Sequence, residues 1–197
     1  CHCHNPESEK MAVKAGFDVI EHCVFTDDEA IAMIRGANKI VTTTLAHRTD
    51  EAIEEAIRGG ATEFMIAKQR RIQPFCYETF RRMHEAGIRI AMGTDMGLDQ
   101  GTHEIELFTK LGMTNMEALV AATKVAAEAC SLGNETGTLD VGKYADIVAV
   151  NGDPLQDIRA YQDRENIRMV MKEGRVNIDK RKGHEKSVIQ NWNWKIV

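Results

Sequence analysis

Three residues stand out by type and by place among the seven histidines and thirty acids of this chain: His2, His22 and Asp95. His2 lies at the first turn of the sequence as given. His22 closes the apolar run Phe17-Asp18-Val19-Ile20-Glu21-His22, and Asp95 closes Ile88-Arg89-Ile90-Ala91-Met92-Gly93-Thr94-Asp95. Short runs of this kind are strands, and parallel strands alternating with helices bring their C-terminal ends to one mouth, so side chains far apart in sequence can meet there. Two imidazoles and a carboxylate are borderline ligands that suit Zn, Mn, Fe or Ni better than Ca or Mg. The same residues singly also serve as hydrogen-bonded structural groups, and spacing alone leaves both readings open. His4 follows His2 by two positions and faces the same way on an extended strand, where it either donates to a developing oxyanion or supports a neighbouring ligand. His47 and His103 follow strands and read as loop residues within reach of the mouth. His84, in a helix, and His184, in the tail, read as surface groups. Glu21 is expected on the opposite face of its strand from His22. Cys1-His2-Cys3-His4 lacks the ligand spacing of a structural zinc ribbon, and no second Cys-rich knuckle follows.

The elements that must position these residues alternate in type. Residues 9–15 read as a helix ending at Gly16, followed by the strand to His22. Thr26-Asp27-Asp28-Glu29 reads as a capping box opening a helix with Ile31 and Ile34 inward. Residues 39–45 are β-branched and form the next strand. Residues 46–73 read as an enlarged loop holding one helix, Glu51 to Arg58, with a break at Gly59-Gly60; Pro74 then restarts a helix over 75–86 that feeds the strand ending at Asp95. Beyond Gly97 and Gly101 come a helix over 104–111 and a second capping box, Thr114-Asn115-Met116-Glu117, opening a helix to about Ser131. From Gly137 the pattern changes to short strands at 137–139, 146–150, 168–171 and 175–178, and the chain ends in a polar, basic tail bearing Trp192 and Trp194.

The composition narrows the function classes. With 197 residues, 43% hydrophobic and 28% charged, the chain can bury a sizeable core. A net charge of -5 gives no electrostatic reason to expect nucleic acid or an anionic membrane. No run has the length of a membrane span and no signal peptide opens the sequence, so a cytoplasmic protein is expected. Five cysteines are an odd set in a chain too large to need staples, and reduced thiols are expected. A chain that starts without methionine on an active-site-like motif is expected to lack an N-terminal portion.

Cys1-His2-Cys3-His4, then Ala15-Gly16-Phe17-Asp18-Val19-Ile20-Glu21-His22-Cys23, then Gly93-Thr94-Asp95-Met96-Gly97, resemble in order and spacing the second half of the amidohydrolase superfamily. The likeness is to its imidazolonepropionase-like and Xaa-Pro or Xaa-Arg dipeptidase branch. Gly137-Thr138-Leu139-Asp140-Val141-Gly142-Lys143-Tyr144-Ala145-Asp146-Ile147-Val148 is similar to the segment by which such enzymes return to a flanking β-sandwich, so the resemblance covers residues 1–178. It implies an α/β fold: the C-terminal half of a (β/α)8 TIM barrel over 1–133, β-sandwich strands over 134–178, and a tail over 179–197. It implies that His2 and His22 are the metal-ligating histidines of the fifth and sixth barrel strands and Asp95 the aspartate of the eighth, with Asp95 and His4 acting in catalysis. It implies a divalent metal, zinc foremost, one or two ions in the complete enzyme. The implied activity is hydrolysis of an amide or peptide C–N bond by a metal-activated water, as in a dipeptidase, carboxypeptidase or cyclic amidohydrolase acting on a small amide or dipeptide. A deaminase or phosphotriesterase-like activity on the same site, and a non-catalytic assembly unit, are the alternatives. The early His-x-His strand and the strand-borne lysine or glutamate of the superfamily are not in this chain, so a missing N-terminal half or a homo-oligomeric partner is expected to complete the site and cover the open barrel face.

Overall fold

The computed structural model describes residues 1–95 and 101–181. Four short strands, β1 (His2–Cys3), β2 (Val19–His22), β3 (Ile40–Thr43) and β4 (Arg89–Met92), form one parallel sheet in the order β1-β2-β3-β4. Spatial order equal to sequence order is the winding of a barrel segment; a doubly wound sheet would reverse direction at a switch point. Every C-terminal strand end therefore lies on one rim.

The helices between strands follow from local chemistry. In α1 (Pro6–Lys14) Asn5 accepts from the Ser8 amide, Pro6 occupies the first turn, and Glu7 and Glu9 precede Lys14 in the order the helix dipole favours. In α2 (Asp28–Gly36) the cap is Asp27, which accepts from the Ala30 amide at 2.7 Å. The expected box at Thr26 is thus displaced by one residue: Thr26 is buried, and Asp27 both caps and pairs with Lys10 at 3.0 Å. Ile20, Val41 and Ile90 project from the sheet into a core shared with Ile34, Phe80, Met83 and Phe108 of the helices. The Phe80 and Phe108 rings lie 4.8 Å apart at its centre.

Residues 46–73 are not an enlarged loop. A 3-10 turn (Ala46–Arg48) leads into α3 (Asp50–Arg58), capped by Thr49, and then into α4 (Glu63–Glu85), capped by Thr62. Pro74 lies inside α4 and does not restart a helix. It removes one backbone hydrogen bond, but Ile72, Cys76, Thr79, Phe80 and Met83 form one buried face across it, and their burial outweighs that loss.

After β4 come α5 (Gly101–Lys110) and α6 (Asn115–Val120). At α6 the Thr114 amide donates to Glu117 Oε2 at 2.7 Å and the Glu117 amide to Thr114 Oγ1 at 3.2 Å, the reciprocal pattern of a capping box. A π-helical turn (Ala121–Val125) and α7 (Ala126–Ala129) complete this helical run. A separate antiparallel sheet holds β5 (Ile147–Val150), β6 (Ile167–Lys172) and β7 (Arg175–Asp179) in that order. Residues 137–139, expected as a strand, join no sheet. Lys143 Nζ donates to the Gly133 carbonyl and to Thr138 Oγ1, both at 2.6 Å, so the segment folds back on itself. Met96, Gly97, His184, Trp192 and Trp194 lie outside the described residues. No described helix is long and apolar enough to cross a membrane.

Candidate metal centre

Strand register brings the first two histidine-bearing strand ends together: in the β1–β2 pair, His2 sits opposite Glu21 and Cys3 opposite His22. Regular alternation would send His22 the same way as Ile20, into the helical layer. It does not, because His22 and Cys23 adopt left-handed backbone conformations, with φ of 73° and 53°. Such conformations cost energy in non-glycine residues, and they collect at functional sites. Here they end the strand and turn the His22 ring toward His2 and His4. Glu21, expected on the barrel exterior, is on the inner face. With Ile20 in the core, Glu21 lies on the sheet face away from the helices, bonds the Thr42 side chain and feels the charges of Asp95 and His2.

The three imidazoles form one cluster. Ring centroids of His2 and His4 are 4.4 Å apart and stacked; those of His2 and His22 are 4.5 Å apart and those of His4 and His22 5.1 Å, both edge-on. One nitrogen from each ring lies within 4.8 Å of the other two. His22 Nδ1 is 2.8 Å from Thr44 Oγ1, a contact that fixes the ring and leaves Nε2 for the cluster. Burial, then the neighbouring His2 and His22, bring the His4 pKa down to about 4. Burial, then His2, also lower that of His22. Neutral imidazoles are the form that binds a cation, and three of them at this separation suit a divalent ion of the zinc type. The donor set fits such an ion.

Asp95 stands apart from that trio. It lies three positions beyond β4, exposed, with φ 53°, and its charge acts on His22 and His47, opposing the fall in their pKa values. His47 sits in the 3-10 turn after β3, hydrogen-bonded to the Thr94 backbone. Burial and then Arg48 bring it to about 4, and its Nδ1 is buried with no hydrogen-bond partner among the described residues. His103 is exposed on α5, and His84, near the end of α4, pairs with Glu117 of α6 at 3.4 Å.

Two residues that the sequence reading passed over shape this rim. Thr44 orients His22. Glu104 on α5 is fully buried and accepts the Leu45 amide on both oxygens, at 2.8 and 2.9 Å, and the Ala46 amide on Oε2, which ties α5 to the turn carrying His47 and Arg48. The signal for Glu104 was present: it shares an i, i+3, i+4, i+7 stripe with Leu107, Phe108 and Leu111, so an acid falls on an apolar face.

Comparison with known proteins gives this geometry a lineage. Ochratoxinase of Aspergillus niger is 30% identical over 182 residues, 89% of this chain and 37% of that protein. Imidazolonepropionase of Symbiobacterium thermophilum is 29% identical over 191 residues, 89% of this chain and 44% of the relative. The crystal structure of an Xaa-Pro dipeptidase with bound methionine in its active site superposes with a TM-score of 0.79 at 32% identity, covering 90% of this chain and 44% of that one. The chain thus spans less than half the length of these relatives. The α/β fold is that of amidohydrolase TIM-barrel structures, of which the chain covers roughly half the length, and it carries a separate antiparallel sheet. The model of the Amidohydrolase family matches residues 1–176, and the chain belongs to that family.

Proposed function

We propose that this chain carries part of the active site of a metal-dependent hydrolase that cleaves a C–N bond in a small amide, dipeptide, acylated amino acid or cyclic amide. The observation that carries the reading is the His2, His4 and His22 cluster on the C-terminal rim of a parallel βα sheet. His2 and His22, with His4 beside them and Asp95 completing the set, would hold the cation, zinc by donor chemistry. Such an ion lowers the pKa of a bound water and polarises the scissile carbonyl. The residues do the rest. Thr44 keeps His22 in one ring orientation. The Asp95 carboxylate takes the proton of the attacking water and hands it to the leaving nitrogen. His4, where it does not ligate, offers a ring N–H to the oxyanion.

The four-stranded sheet has β1 and β4 at its edges. In this reading, further βα units or a second copy pair with them and close the barrel, with residues 1–133 as the barrel portion and 134–178 as the flanking β portion. The five free cysteines favour a reducing compartment, the cytoplasm. In the complete enzyme, Asp95→Asn should lower kcat by roughly 10²–10⁴-fold with the thermal unfolding midpoint unchanged. Turnover retained in that variant removes Asp95 from the mechanism.

A further inference from the structure

The hairpin of α3 (Asp50–Arg58) and α4 (Glu63–Glu85) begins directly after the turn that carries His47, and its two helices pack against each other. Ile53 and Ile72 bury its inner side, but the end around the connection over 59–62 leaves apolar side chains in the open. Ile57 is 45% exposed, Phe64 78% and Met65 54%. Beside them Ile57, Ala61, Ile66 and Ala67 line a groove of about 450 Å³ between the helices. A single exposed apolar residue is ordinary; several gathered around a groove mark a contact surface.

The charges around that groove say what covers it. α3 presents Glu51, Glu54 and Glu55, and the first half of α4 presents Lys68, Arg70 and Arg71, all of them exposed. None takes part in an ion pair among the described residues. Helical spacing puts Glu51 and Glu55 on one stripe of α3, and Phe64, Lys68 and Arg71 on one stripe of α4. One hairpin thus offers an acidic ridge and a basic ridge side by side. A uniformly acidic partner is repelled by the first, and a uniformly basic one by the second. A second copy of the same hairpin, turned about a two-fold axis, meets neither obstacle, because acid then faces base twice. Along a helix Glu51 and Glu55 are about 6 Å apart and Lys68 and Arg71 about 4.5 Å, a match that lets them pair two against two.

We propose that the hairpin of α3 and α4 is a self-association surface. Two copies of this chain dock about a two-fold axis, with the acidic ridge of each against the basic ridge of the other and Phe64 of each in the groove of the other. This contact uses neither of the edge strands β1 and β4, so it is separate from closure of the barrel. Exposed ion pairs add little affinity. The apolar side chains supply it, and the charges choose the partner and its orientation.

The test is sedimentation equilibrium of the 197-residue chain and of two charge-reversed variants, Glu51→Lys/Glu55→Lys and Lys68→Glu/Arg71→Glu, each checked by circular dichroism for an unchanged fold. The unsubstituted chain should dimerise at about 10–100 µM. Each variant alone sets like charges against each other in both halves of the contact and should dimerise at least about tenfold more weakly. Their equimolar mixture restores opposite charges and should come within about threefold of the unsubstituted chain. Phe64→Ser should weaken the dimer at least about tenfold. Carbodiimide coupling of a mixture of unlabelled and heavy-nitrogen chains gives a second reading, in which Lys68 of one chain should join Glu51 or Glu55 of the other. A chain that stays monomeric at about 100 µM overturns the proposal and leaves the hairpin to another segment or partner. Equal association in all variants also overturns it, because the sheet edges or another face then carry the contact. So do a mixture no tighter than its components and coupling confined to single chains. If a variant does not fold, the coupling in the unsubstituted chain decides.

Discussion

Replacing Glu104 by leucine removes a carboxyl group of similar bulk from a site that is 0% exposed. What it leaves behind is two backbone donors, the amides of Leu45 and Ala46, in residues that are 4% and 2% exposed. Each orphaned buried donor costs about 1–3 kcal/mol, so the gross loss is about 2–6 kcal/mol. Part of that is offset, because burial pushes the Glu104 carboxyl up to about 8 and leucine removes the desolvation responsible. The expected net loss is therefore in the lower half of the range, about 2–4 kcal/mol. Urea unfolding followed by circular dichroism measures it, and native-state hydrogen exchange localises it. The Leu45 and Ala46 amides should lose protection first, because the turn bearing His47 and Arg48 is released from α5. A loss under about 1 kcal/mol with those amides still protected would refute the reasoning.

Two further substitutions probe the rim and the layer beneath it. Glu9 is fully buried beside Thr26 and Cys23, and burial raises its pKa from 4.5 to about 7. The folded state then holds a proton that the unfolded chain has released, so the contribution of Glu9 to stability is fully present below pH 4.5 and is lost as the pH rises through 7. Glu9→Gln should recover about 2–4 kcal/mol at pH 8 relative to pH 4.5, read as the difference in unfolding midpoint between the variant and the unsubstituted chain growing from pH 5 to 7. A difference that does not change with pH would show that Glu9 carries no such proton. Thr44→Val keeps the shape of a buried side chain and removes the contact to His22 Nδ1. Metal affinity, read by competition with a chromophoric chelator, should weaken about 10–100-fold, as for other groups that orient a ligating histidine. Equal affinity would mean that the His22 ring is held by packing alone.

Much of the fold was legible because its signals are local. Short β-branched runs each preceded by a helix gave β2, β3 and β4, and the Thr114 to Glu117 box gave the start of α6. The resemblance anticipated the family. What could not be read locally was decided by tertiary contacts. Pro74 punctuates a sequence, yet the apolar face around it carries α4 through. Thr26 and Asp27 are equally good caps, and the choice depends on Lys10 and on burial of the threonine. Residues 137–139 look like a strand, but Lys143 pins them into a turn. At the site, alternation placed Glu21 outside, because nothing in the sequence announces the left-handed backbone at His22 that breaks the alternation.

The proposal on which the rest depends is that His2 and His22, with His4 beside them, hold a divalent cation on this rim. Zinc titration of the chelator-treated 197-residue chain, with a chromophoric chelator as competitor, tests it most directly. The account predicts saturable binding of one equivalent, weakened at least about 100-fold by His22→Ala and comparably by His2→Ala, with the circular dichroism spectrum unchanged. A folded chain that binds no zinc, or histidine variants that bind it as tightly as the unsubstituted chain, would contradict it.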